Sequence, residues 1–475
     1  MSKRDHEREV SRRALIKWSL AAGAALGVSR AAILDVLERT AGKRTALAAS
    51  AMPNKRSVHI RCGTGGLAWF QLMWPHNDVA AGNKPNAALA GRGSLVLAPG
   101  TDKPLTVGPN SAFRNFAGAQ QISAFMAGTN ETHTPTPTSI NKSVNSGSLF
   151  AITAVLQNDN PAVVPVITVG DVDFGSTPGA PLPSKVETAD GIVGLFNSAA
   201  SQSNQLLSTT AHADLYRAQY ATLAALNRAS NLSTTRVPYH TARNASAFLG
   251  KNLADRLSFR TGVDDVAYGM TAPEFTAITN DAATNNRKDK VTAFGRTLAA
   301  TAKAFELGLS SSVIMPGVND DPHGAFAAGG ALTTDAQNVV TTMKRMLDAF
   351  MADLGARHDP VSGEVLANDL VMTIEGDTPK TPIDFNGWQD PTPGDANWMY
   401  VLGGGKLRTG WFGGIDRNGT NITGFDPATG NPAAPNPSLQ AQAAVAAVAY
   451  AITRGNLARV QEFARAEITG LVVPS

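Results

Sequence analysis

Two apolar runs enclosing an acidic loop constrain this chain most: residues 370–405, LVMTIEGDTPKTPIDFNGWQDPTPGDANWMYVLGGG. The first run, Leu370 to Ile374, has the length of a buried strand and stops at Glu375-Gly376-Asp377. The second, Trp398 to Leu402, runs into a glycine turn. In an open α/β sheet, ligands collect outside the carboxyl ends of the strands, so the acids after Ile374 mark a natural place for chemistry.

The rest of the chain supplies partners for those strands. Arg56 to Cys62 (RSVHIRC) alternates apolar and polar residues and meets a tight turn at Gly63-Thr64-Gly65-Gly66. Further strands are expected at Ser94 to Ala98, Ile122 to Ala127, Ala151 to Leu156, Ala162 to Val169 and Ser311 to Met315. Helical patterns cover Phe113 to Ala119, Gly191 to about Ser258, Val291 to Leu307 and the Ala-rich tail from Leu439. The clearest helix is Thr333 to Leu354, with a stripe of Val339, Val340, Met343, Met346, Leu347, Phe350 and Leu354 behind a Thr334-Asp335 cap. The polar segment from Gly128 to Ser148 is long for a loop in a compact domain, the length associated with function or mobility. Strands alternating with helices predict an α/β fold: a mostly parallel sheet with helices on both faces, carrying helical and loop insertions. A single domain over residues 52–475 is expected.

Charge excludes one class of partner. Residues 1–51 hold 10 of the 41 Lys/Arg and 5 of the 38 Asp/Glu, leaving 31 basic and 33 acidic residues in the body. The formal charge of +3 therefore comes from the N-terminus, and the body has no basic surplus for nucleic acid. Cys62 is the only cysteine, so no intrachain disulfide and no thiolate cluster can form; it is expected as a small residue on a buried strand.

That N-terminus is an address. Ser11-Arg12-Arg13-Ala14-Leu15-Ile16-Lys17 matches the twin-arginine export pattern and precedes an apolar run, Trp18 to Val28, too short to span a bilayer. Ala46-Leu47-Ala48 and Ala49-Ser50-Ala51 offer small-x-small cleavage sites, with a charged amphipathic segment, residues 30–44, before them; an uncleaved anchor is the alternative. Residues 1–51 are expected as a signal peptide and the twin-arginine translocase as the partner in export. The body is expected to fold in the cytoplasm, to carry no membrane span, and to work in the periplasm, on the cell surface or outside the cell.

Two blocks carry candidate chemistry. Val313 to His323 (VIMPGVNDDPH) is a strand ending in an acidic turn, so Asp320, Asp321 and His323 can reach one cation. With this strand beside the one at Leu370, Glu375 and Asp377 join them, and carboxylates so close call for a divalent ion. The alternative is a pair of solvated, Asx-capped turns. His133, in the polar loop, is a further candidate, and Trp388 is the best aromatic candidate for a binding platform, the other tryptophans being expected in the core. The sequence has no phosphate-binding loop and no Gly-x-Ser-x-Gly nucleophile turn in the body.

These blocks, with the GG turn near the N-terminus, AQQISAFMAGTN and MYVLGGG, resemble the twin-arginine-exported proteins of domain of unknown function family 1501, which are similar in fold to the alkaline phosphatase and sulfatase superfamily. The resemblance covers most of residues 56–415. It implies an alkaline-phosphatase-like fold and divalent metals held by Asp and His beside a phosphate or sulfate ester. Asp321 and His323 match the family's Asp-x-His turn, and Glu375 and Asp377 its acidic strand end. Three departures bear on activity. The family's Asp-His-Gly falls at or near Thr392-Pro393-Gly394 with no histidine after His358, Gly65-Gly66-Leu67 lacks the acid that should follow it, and the family's Ser-x-His spacing is not reproduced around His133. The ligands left, Asp320 or Asp321, His323 and Asp377, with His133 and Glu375 weaker, suffice for one hard ion, calcium, magnesium or manganese before zinc. The expectation is an exported protein with a degenerate metal site and a non-catalytic binding or surface role; the alternative is a metal-dependent hydrolase of phosphate or sulfate esters.

Overall fold

In the computed structural model, which describes residues 52–74, 95–96, 105–106, 122–144, 147–158, 160, 162, 164–195, 262–280, 286–328, 330–359, 362–381, 388–416 and 421–474, strand β1 (Arg56–Cys62) lies inside an eight-stranded sheet. A glycine turn leads from it to helix α1 (Leu67–Met73). Then come a two-stranded ribbon, β2 (Leu95–Val96) with β3 (Leu105–Thr106), strand β4 (Ile122–Thr129), helix α2 (Leu149–Leu156), β5 (Val164–Val169) and β6 (Ser184–Val186). Short helices α3 (Asp264–Ala267) and α4 (Pro273–Ala277) precede α5 (Arg287–Glu306), β7 (Ser310–Pro316), α6 (Thr334–Gly355), β8 (Leu370–Gly376) and β9 (Ala396–Leu402). The chain finishes with β10 (Gly410–Phe412), a ribbon of β11 (Gly414–Ile415), β12 (Ile422–Phe425) and β13 (Pro432–Ala433), and helices α7 (Pro437–Ile452) and α8 (Leu457–Gln461). The sheet belongs to a compact unit of residues 54–160, 164–189 and 259–475. A second unit, 1–53, 161–163 and 190–258, is described only at 52–53, 162 and 190–195. The export segment, the expected helix at Phe113 to Ala119 and most of the helical pattern from Gly191 lie outside the described residues.

The strand order is β10-β4-β9-β8-β1-β7-β5-β6. Only β9 runs against the rest, pairing antiparallel with both β4 and β8, so the sheet is mostly parallel as expected. β7 and β8 are not neighbours: each pairs with β1, in registers Val58↔Val313 and Val58↔Met372. The two acidic turns therefore flank the turn after β1.

Alternation along β1 assigns its two faces. Val58, Ile60 and Cys62 lie on the side of α1, α5 and α6, where Phe70 stacks on Trp74 and meets Phe294 edge-on. Ser57, His59 and Arg61 lie on the side of α2, which shares a core cluster with α7. Helices thus cover both faces, and the stripe expected on α6 is buried throughout. Its cap is Thr333, whose hydroxyl accepts from the Ala336 amide, one residue before the pair expected to cap it.

Ala151 to Leu156 corrects one expectation, being helix rather than strand. All eight residues of α2 are buried, so no amphipathic period betrays a helix, and a short apolar run suits either form. Ser148 decides it, its hydroxyl accepting from the Ala151 amide at 3.2 Å as an N-cap. Trp388 corrects another. It is 1 % exposed and packs edge-on against Phe326 at 5.2 Å, so it is a packing residue and offers no platform. Cys62 is fully buried on β1, and burial, with Asp377 beside it, holds its thiol well above the usual range. Among the described residues no helix is long and apolar enough to cross a membrane.

Candidate metal centre

Three loops meet at the carboxyl edge of the sheet, over the turn that follows β1. The turn leaves room for them because its residues are small. At Gly65 (φ +79°) a Cβ would stand 2.7 Å from Cβ of Asp321, and at Gly66 it would stand 2.3 Å from the Val318 carbonyl oxygen.

The loop after β7 parts its two aspartates. Asp320 turns inward, 2 % exposed, and pairs with Arg287 at the start of α5. Arg287 also pairs with Asp335 and lies over the Trp69 ring at 5.1 Å, while Trp69 Nε1 donates to the Asp320 carbonyl at 2.9 Å. With Asp320 held inside, Asp321 faces out and meets Nδ1 of His323.

The loop after β4 brings His133. It is pinned along its length: the Glu131 carboxylate accepts from the Thr138 amide and hydroxyl and from the Ser139 amide. The His133 amide donates to Thr378 Oγ1 at 2.7 Å, and Nε2 lies 2.8 Å from Asp390 and 3.3 Å from Asp321. Thr132 and His133 both have left-handed backbone (φ 46° and 54°), a costly conformation for side-chain-bearing residues that is held here by these bonds.

The connection from β8 to β9 supplies the last two groups. Gln71 of α1 clamps Lys380 reciprocally, accepting from its amide at 2.9 Å and donating to its carbonyl at 3.2 Å. The Thr381 amide donates to the Gln389 carbonyl at 2.9 Å and its hydroxyl to the Pro391 carbonyl at 2.6 Å, closing the neck of the loop and setting Asp390 beside Lys380. The Lys380 ammonium, with a fully buried side chain, then lies 3.1 Å from the Asp321 carboxylate, 3.1 and 3.2 Å from the two ring nitrogens of His323, and against Asp390. Burial pushes the Asp390 carboxyl up, but the hydrogen bonds and charges of Lys380 and His133 outweigh it and hold the group below the usual range.

His133, Asp321, His323 and Asp390 each offer one ligand atom, all within 4.8 Å of one another, a set that can hold a metal ion. Of the residues named from sequence, the structure brings together Asp321, His323 and His133. Asp320 faces Arg287, and Asp377 is buried as an acceptor for the Gly65 amide. Burial raises the Asp377 carboxyl, although its backbone hydrogen bonds from Gly65 and Thr378 oppose the rise. Glu375 is buried on β8 with neither oxygen hydrogen-bonded, and burial raises it to about 8. Asp390 and Lys380 were missed. Asp390 stands two residues before Thr392, next to the position where the family resemblance places an Asp-His-Gly; no local pattern marks Lys380.

No family model matches the chain, and neither a curated protein nor a solved structure does, so the geometry of this cluster is what bears on its function.

Proposed function

We propose that this chain is an exported binding or surface protein of alkaline-phosphatase-like fold, related to domain of unknown function family 1501, whose metal centre has become non-catalytic. The observation that carries the reading is Lys380, whose ammonium lies against three of the four ligand side chains. A divalent ion about 4 Å from an ammonium is repelled by roughly 8 kcal/mol at an effective dielectric constant of about 20. An ion therefore enters only when Lys380 withdraws. In support of the family, the two residues it pairs with the Asp-x-His turn, Asp321 and His323, do meet at the centre. Export rests on Ser11, Arg12, Arg13, Leu15, Ile16 and Lys17 and makes the twin-arginine translocase the partner.

Metal analysis of the purified mature protein, with aryl phosphate and aryl sulfate assays in manganese, zinc, magnesium and calcium, tests the reading. The expected result is no stoichiometric ion and no turnover. A bound ion with turnover lost in Asp321→Asn or His323→Ala would favour the second reading, a metal-dependent hydrolase of phosphate or sulfate esters. That reading has the four convergent ligand atoms in its favour. Two imidazoles with two carboxylates suit manganese or zinc better than calcium or magnesium, which prefer an all-oxygen shell, so zinc gains on the order expected from sequence.

A further inference from the structure

The face of β1 that meets α2 is polar at three successive inward positions, Ser57, His59 and Arg61. The first two are satisfied. Ser57 Oγ reaches Ser312 Oγ at 2.9 Å and Gln157 Oε1 at 3.2 Å, and the His59 ring lies between Thr373 Oγ1 at 2.8 Å and Thr153 Oγ1 at 3.1 Å. Arg61 is satisfied only in part. Its Nη groups donate to the carbonyls of Pro135 and Asp171, but Nε meets no acceptor. Glu375 is its register partner on β8, 2 % exposed, and neither carboxyl oxygen has a hydrogen-bond partner. Paired positions on neighbouring strands point to the same face, so these three orphaned atoms belong to adjacent side chains.

We propose that Arg61 Nε and the Glu375 carboxyl form an internal water site beneath the His133 loop, with about one or two ordered molecules bridging the guanidinium to the carboxyl. The charges select the occupant. A cation at Glu375 would face the Arg61 guanidinium and leave Nε unpaired. An anion at Arg61 would face Glu131, whose charge already acts on the neighbouring Glu375. A neutral molecule that both donates and accepts satisfies all three atoms, and water is the smallest. Burial raises Glu375, more than Arg61 lowers it, so its carboxyl keeps a proton at neutral pH and can give as well as accept a hydrogen bond. Arg61 also holds the carbonyl of Pro135, two residues from His133, so the water would help fix the loop that delivers His133 to the centre. The site is independent of what the centre itself binds.

A high-resolution crystal structure of the full chain tests it directly. The expected result is a water peak within about 3.2 Å of both Arg61 Nε and a Glu375 oxygen. A direct Arg61–Glu375 bond, no peak, or a peak that refines as an ion overturns it. In solution, oxygen-17 relaxation dispersion counts long-lived internal waters. Glu375→Leu should lose at least about one relative to the native chain, and Glu375→Gln should keep it. Equal amplitudes for native, Gln and Leu chains overturn the proposal, and if the Leu variant does not fold, the native crystal map decides.

Discussion

The amide of Gly65 points at the Asp377 carboxylate, 2.9 and 3.0 Å from its two oxygens, and this bond ties the turn after β1 to the end of β8. It occupies an acid that the sequence offers as a cation ligand. Asp377→Ala would strand a buried amide and should cost about 1–3 kcal/mol in urea unfolding. Cation binding in a variant freed of Lys380 should survive the change, since Asp377 lies outside the ligand set. Loss of that binding without loss of stability would return Asp377 to the centre.

Lys380→Met removes the ammonium from between Asp321 and Asp390. Breaking a buried charge pair from one side costs about 3–5 kcal/mol, and the partial exposure of both aspartates places the expected loss at the low end. Manganese or zinc should then restore stability, by about 2.7 kcal/mol at a hundredfold excess over Kd. Thermal melts with and without the ion check this: the variant should shift and the native chain should not. A native chain that shifts equally would show that Lys380 does not exclude the ion.

Glu375 gives stability a pH dependence of definite sign. Burial lifts its folded value to about 8 from 4.5, so the native state keeps a proton that the unfolded chain has released. Stability therefore falls as pH rises from about 4.5 to about 8 and is unaffected below that window. Asp369, raised to about 7 by burial, acts in the same direction, so the native chain alone does not isolate Glu375. Comparison with Glu375→Gln does. The variant should gain on the native chain across the window by an amount on the order of several kcal/mol. Urea melts from pH 5 to 9 should show the two curves diverging; parallel curves would contradict a raised Glu375.

Arg287 holds Asp320 and Asp335 together and covers Trp69. Arg287→Ala removes the guanidinium paired with the buried Asp320 carboxylate, and equilibrium unfolding should report a loss of about 3–5 kcal/mol. Asp320→Asn in the same background should recover part of it, because an amide needs no counter-charge. If the double variant is no better than the single one, stacking on Trp69 rather than charge is what Arg287 contributes.

The fold was legible where one physical signal dominated. β5, β7, β8 and β9 announce themselves as apolar runs bounded by turns, β1 as an alternation ending in one, and α6 as a stripe with a cap. α2 was not legible because burial on every side erases the period that separates helix from strand. In the centre, Asp321 and His323 were legible because two residues of one turn are close by covalent geometry. Asp320 has the same local pattern, and only α5, folding back with Arg287, turns it inward. Lys380 and Asp390 are joined by the loop neck at Thr381 and by Gln71 of a distant helix, contacts that no spacing in sequence encodes.

The reversed direction of β9 has a consequence for how such a chain can change. β8 finishes and β9 begins at the same edge, so the segment between Asp377 and Asp395 leaves and rejoins the sheet without rethreading it. Lys380 and Asp390 both ride on that segment, while His133, Asp321 and His323 are carried by the loops after β4 and β7. Exchange of one hairpin-sized cassette would therefore alter the charge balance of the centre and leave every strand pairing in place. Whether this edge welcomes a cation or repels one is then an interchangeable part of the molecule.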